Sequence, residues 1–102
     1  MDKLIRKLNH LRDLLKSCQS MLDLFGEKEW SDKIGQTTKA DGIDPSKVLS
    51  WYGGMGSFND LLISGYNGHE VKQEDEDVVN AELSDLRNKI YLEAKEIFDQ
   101  TL

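Results

Sequence analysis

The sequence predicts an all-α fold: a compact bundle of two long helices, about residues 3–25 and 75–100, with two or three short helices between them. Three observations predict it. Near both ends of the chain, apolar residues recur at alternating intervals of three and four, the period of one face of an α-helix. The chain has one proline in 102 residues, and proline is the residue that breaks long helices. Apolar residues make up 38%, enough for a packed core and more than a disordered chain carries. The length suits one domain, residues 1–102, with a modest core.

The first helix carries its stripe on Leu4, Leu8, Leu11, Leu15, Cys18, Leu22 and Phe25, widened by Ile5, Leu14 and Met21. Asp2 stands at the N-cap and Gly26 where a left-handed C′ residue is wanted. The helix should span about 35 Å. So regular a heptad could also form a coiled-coil seam, but the stripe is wider than a seam, which favours a bundle helix. Residues 27–40 form a second helix anchored to the first by Trp30, with Ile34 as its other apolar residue and Gly35 costing about 1 kcal/mol against alanine. Asp41-Gly42 makes a turn.

The third helix, about residues 45–52, has Asp44 as N-cap and Pro45 at N1. Ile43 and Val48 are placed as a hydrophobic staple. Gly53 and Gly54 stop it. Ser57-Phe58-Asn59-Asp60 then reads as a capping box opening a short helix from Phe58 to about Ser64, although so short an apolar run is also compatible with a strand. Gly65 to Gly68 is a turn-rich loop. The last helix shows Val79, Leu83, Leu86, Ile90, Ala94 and Ile97 in its stripe. Acidic residues stand at the positive end of its dipole, and Asp85 and Lys89 form an i,i+4 pair. The first and last helices are expected to lie against each other.

Net charge is −6 and unevenly spread. Residues 1–51 hold nine Lys/Arg against eight Asp/Glu, and residues 52–102 hold four against eleven. An acidic half argues against nucleic acid and against anionic membrane surfaces. It favours a basic partner, or simply solubility. Cys18 is the only cysteine, so there is no intrachain disulfide and no cysteine-based zinc site. The N-terminus lacks the apolar run of a signal peptide, and a cytoplasmic chain is expected.

The most unusual stretch is Trp51-Tyr-Gly-Gly-Met-Gly-Ser-Phe-Asn-Asp-Leu61. Gly53, Gly54 and Gly56 ahead of a helix start could cradle an anion. A phosphate loop needs a lysine, and none occurs from Trp51 through Glu70; a dinucleotide fingerprint needs a preceding strand. The glycines are therefore read as a corner between two short helices, packed by Trp51, Met55 and Phe58. A ligand or enzymatic site here would draw on Trp51, Tyr52, Ser57, Asn59 and Asp60. His69 is the only loop base for Ser57, and two residues make no catalytic constellation. Neither His10 nor His69 has a second histidine at ligand spacing, so no metal and no cofactor are expected. Cys18, in the stripe, reads as a buried small hydrophobe. Glu70, Glu74, Asp75, Glu76, Asp77, Glu82 and Asp85 form an acidic run that reads either as a solvated helix start or as a docking surface for a basic partner.

The Trp51–Leu61 stretch, the loop Tyr66-Asn-Gly-His-Glu70, and Ala81-Glu-Leu-Ser-Asp-Leu-Arg-Asn-Lys-Ile-Tyr-Leu-Glu-Ala94 together resemble a family of small bacterial helical proteins of uncharacterised function. The resemblance covers roughly residues 20–100. Some proteins of this kind resemble immunity proteins, which neutralise toxins delivered between competing bacteria. That resemblance implies no enzyme activity and a cytosolic partner, a basic toxin domain, with exposed aromatics such as Trp30 or Tyr66 as anchors. Alternatives are a ligand or enzymatic site at residues 51–60, or a module that homodimerises through the first helix.

Overall fold

The computed structural model describes residues 2–39, 42–53 and 56–101. It contains α1 (Asp2–Leu24), α2 (Lys28–Lys39), α3 (Pro45–Leu49) and α4 (Glu76–Gln100), with single 3₁₀ turns at Phe58–Asp60, Gly65–Asn67 and Gln73–Asp75. There is no strand among the described residues. The expected all-α bundle of two long helices flanking short ones is observed.

α1 buries Leu11, Leu15, Cys18 and Leu22 completely. Ile5, expected in the same stripe, is 53% exposed: α2 runs back along α1 from Ser31 at Asp23 to Thr38 at Arg12 and ends at Lys39, short of Ile5. The helix ends as the sequence predicts. Gly26 has φ +78°, and both bonds of a Schellman motif form: Gly26 N–H to Asp23 O at 3.2 Å and Glu27 N–H to Leu22 O at 2.8 Å. The cap expected of the Asp2 side chain and the turn expected at Asp41 fall outside what is described.

α1 and α4 run antiparallel, since Lys7 pairs with Glu96 while His10 Nδ1 lies 3.4 Å from Glu93. Val79, Leu83, Ile90, Ala94 and Ile97 of α4 are buried and Leu86 is half-buried, as the stripe requires. The Asp85–Lys89 pair is formed at 2.9 Å. α2 packs so closely on α1 that a Cβ at Gly35 would meet the Gln19 carboxamide at 2.7 Å. A side chain at Gly35 would therefore require the Gln19 carboxamide to move aside. The buried Ser31, Thr37 and Thr38 side chains bond to Asp23, Lys33 O and Gly35 O, so each polar group has a partner.

α3 opens as predicted. The Asp44 carboxylate accepts from Ser46 N–H at 3.0 Å and from the Ser46 hydroxyl at 2.7 Å. The hydroxyl bond, with help from the amides, holds the Asp44 carboxyl below its ordinary value. Asp44→Ala is expected to lose about 1 kcal/mol in urea unfolding at neutral pH. A lowered carboxyl stabilises above the unfolded value and loses that effect as pH falls through the folded one. The gap between variant and wild type should therefore close on acidification. α3 stops at Leu49 rather than Tyr52, because Trp51 and Tyr52 donate to Val48 O and Leu49 O in i→i−3 turns that swing both rings inward.

Candidate functional site

The glycine corner organises an aromatic cluster. Gly53 has φ +139° and Gly56 φ +77°, conformations that a side chain would strain. Gly54 and Met55 lie outside the described residues. The reversal is closed by Phe58 N–H donating to Trp51 O at 2.9 Å. Phe58, with no exposed surface, then sits among Trp30, Tyr52 and Trp51 at ring-centroid separations of 4.8, 5.7 and 6.0 Å. Trp30, expected among the exposed anchors, is only 8% exposed. This cluster claims it, in keeping with its other expected role of pinning α2.

The expected capping box is not formed. Ser57 makes no side-chain cap bond. Asp60 Oδ2 instead accepts from Gly56 N–H at 2.8 Å, bracing the corner. The helix expected from Phe58 to Ser64 shrinks to one 3₁₀ turn followed by irregular backbone at residues 61–64, extended at Leu61 and Ser64. Ser57→Ala is therefore expected to change stability by less than about 0.5 kcal/mol, whereas Asp60→Ala should cost about 1 kcal/mol through the Gly56 amide. Thermal unfolding of both variants checks the contrast.

The segment stays irregular because α4 satisfies its backbone. Asn80 accepts from Ile63 N–H and donates to Ile63 O, both at 2.8 Å, and also donates to Glu76 O. Arg87 donates from one guanidinium nitrogen to Phe58 O and Leu61 O, both at 2.8 Å. Tyr52 returns a bond from its hydroxyl to Arg87 O at 2.7 Å. Asn80 and Arg87 thus do for this loop what a partner strand would do. Burial draws the Arg87 pKa below its ordinary value and pushes the Tyr52 phenol above its own. Neither Asn80 nor Arg87 is among the site residues that the sequence predicts. Their signal was a seven-residue spacing just beside the apolar stripe of α4.

His69 also serves the fold. Its Nδ1 accepts from Ser64 N–H at 3.0 Å, so its proton sits on Nε2, 3.1 Å from Glu27 Oε1. Glu27 in turn accepts from Trp30 N–H at 2.8 Å, capping α2. Glu70 N–H donates to Phe25 O at 2.9 Å. Both imidazole nitrogens are committed, which leaves none to activate Ser57. Among the described residues no group of three or more His, Cys, Asp or Glu side chains could hold a metal ion. Cys18 is fully buried and its thiol is pushed up to about 12 by desolvation, far from the thiolate needed for reaction.

The residues expected to line one site at the corner are divided. Tyr52 and Asn59 line an open groove of about 690 Å³ with Ser84, Arg87, Asn88 and Tyr91. Ser57 and Asp60 line a shallower depression of about 270 Å³ beside Glu27 and His69. Trp51 is in the core. Of the acidic run, Glu70, Glu74, Asp75, Asp77, Glu82 and Asp85 are exposed and Glu76 is half-buried. Only Asp85 of the seven has an ion-pair partner among the described residues. Tyr66, on the loop just before them, is 99% exposed.

Residues 23–72 match the family model of a domain of unknown function, DUF6966. The matched stretch runs from the end of α1 through the glycine corner to the loop after His69, and fits an uncharacterised family. No curated protein and no solved structure matches the chain. No helix among the described residues is long and apolar enough to cross a membrane.

Proposed function

We propose that the chain is an immunity-type binding protein, not an enzyme, which docks a basic toxin domain in the cytoplasm through the surface around Tyr66 and the acidic run. The observation that carries the reading is Tyr66 itself: 99% exposed on a loop that is otherwise tied down. Ser64 Oγ accepts from Tyr66 N–H, Asn67 donates to Leu62 O, and His69 clasps Glu27. A large ring held out on an anchored loop loses little further entropy on binding, as an interface anchor should. Leu62, 52% exposed on the same loop, and Val78, 64% exposed on α4, add apolar surface. The surrounding carboxylates would speed encounter with a cationic partner and set its orientation.

The test is co-expression with the product of the adjacent upstream gene. The expected result is a complex that protects the host and weakens with salt. Tyr66→Ala, or lysines at Glu74, Asp75 and Asp77, should weaken it by about tenfold or more. Neither complex nor protection with the wild-type chain would sink the reading.

A further inference from the structure

The groove beside the glycine corner holds a cationic group that the bundle only half uses. One nitrogen of Arg87 is fixed by the Phe58 and Leu61 carbonyls. Its remaining donors have no hydrogen-bond acceptor among the described residues. No carboxylate makes a salt bridge with it among the described residues: Asp85, on the rim, is bound to Lys89, and Asp60, whose charge Arg87 feels, bonds the Gly56 amide instead. Asn59, Ser84 and Asn88 line the same groove, and none makes a side-chain hydrogen bond among the described residues. By contrast, the polar side chains that build the fold, Asn80, Ser31 and His69, are all committed. Tyr91, its ring 5.1 Å from that of Tyr52, forms an aromatic wall.

We propose that this groove binds a small molecule with an aromatic body and an oxyanion, a carboxylate or a phosphate. The oxyanion accepts from the uncommitted edge of Arg87, with Asn59, Ser84 and Asn88 as further donors, and the body rests against Tyr91. The volume of about 690 Å³ is that of a small-ligand site. A guanidinium held by two carbonyls is already oriented, so little ordering opposes a bidentate contact. Partial burial strengthens that contact relative to one at the open surface. The chain's net charge of −6 repels anions elsewhere, so binding should be local and saturable. The proposal does not rest on the docking reading.

The test is an NMR titration of the full chain with benzoate, phenyl phosphate and, as the neutral control, benzyl alcohol, following the Arg87 side-chain and Asn88 amide signals. Saturable shifts are expected with one or both anions, with dissociation constants of about 1–10 mM for probes of this size. Benzoate alone would identify a carboxylate site, and phenyl phosphate alone a phosphate site. Ser84→Glu and Asn88→Glu, at exposed helix positions, place a negative charge on the rim and should each weaken binding by about tenfold. The proposal is overturned if neither anion gives saturable shifts, if benzyl alcohol shifts the same signals equally, or if both glutamate variants bind the anions as the wild type does.

Discussion

Phe58→Ala is expected to be the most damaging single truncation near the glycine corner, costing about 3–5 kcal/mol. A domain of this length has a total stability of about 5–15 kcal/mol, so the variant should lose a large part of it. The ring has no exposed surface and meets Trp30, Trp51 and Tyr52 at once. Deleting it leaves a hole that three large, already constrained rings cannot close. The loss adds cavity formation to the aromatic contacts, which are worth about 0.5–1.5 kcal/mol per pair. The melting temperature should fall by roughly 15–30 °C. Phe58→Leu keeps most of the volume and should cost less than half as much. Urea unfolding followed by tryptophan fluorescence reads both variants, because two of the three neighbours are the reporting residues. A loss below about 1 kcal/mol in Phe58→Ala would mean that the corner is not organised around this ring.

Much of the fold is legible because the deciding interactions are local. The stripes of α1 and α4, the Schellman glycine at Gly26 and the Asp44 cap with Pro45 behind it all act within a few residues of themselves. Residues 57–64 fail for the opposite reason. Ser57 and Asp60 have capping-box spacing, but the hydrogen-bonding groups that decide this backbone come from Asn80 and Arg87, 17 to 29 residues away. A local cap offers about 1 kcal/mol. A charged bond to each of two carbonyls, added to a two-way amide pairing at Ile63, outweighs it. Trp30 and Tyr66 show the same limit in side chains. Both are aromatics in polar surroundings, and only the approach of Phe58 buries one and leaves the other out. For the candidate site, the sequence located the glycine corner but not which of its polar groups the fold consumes. Asp60 braces Gly56, while Asn59 remains open to the groove.

Arg87→Met isolates the long-range part of that balance and is expected to cost about 3 kcal/mol. Methionine keeps an apolar stem of similar reach while removing every donor. The carbonyls of Phe58 and Leu61, both partly buried and bonded at 2.8 Å, then lose their partner, and a lost bond to a charged group costs more than a neutral one. The Tyr52 bond to the Arg87 carbonyl uses backbone and survives the substitution, so the loss reports the guanidinium alone. Arg87→Lys should recover part of the stability, because one ammonium can donate to two carbonyls though without the fixed fork of a guanidinium. Asn80→Leu removes the other clamp on the same segment. If the two clamps act through one backbone segment, the double variant should lose less than the sum of the singles, with a coupling of about 0.5–3 kcal/mol. Strict additivity would mean that Ile63 and the Phe58–Leu61 turn are held independently. Hydrogen exchange at the Ile63 and Phe58 amides separates these outcomes: a shared clamp predicts faster exchange at both sites in either single variant, and independent clamps predict it only at the amide nearest the change.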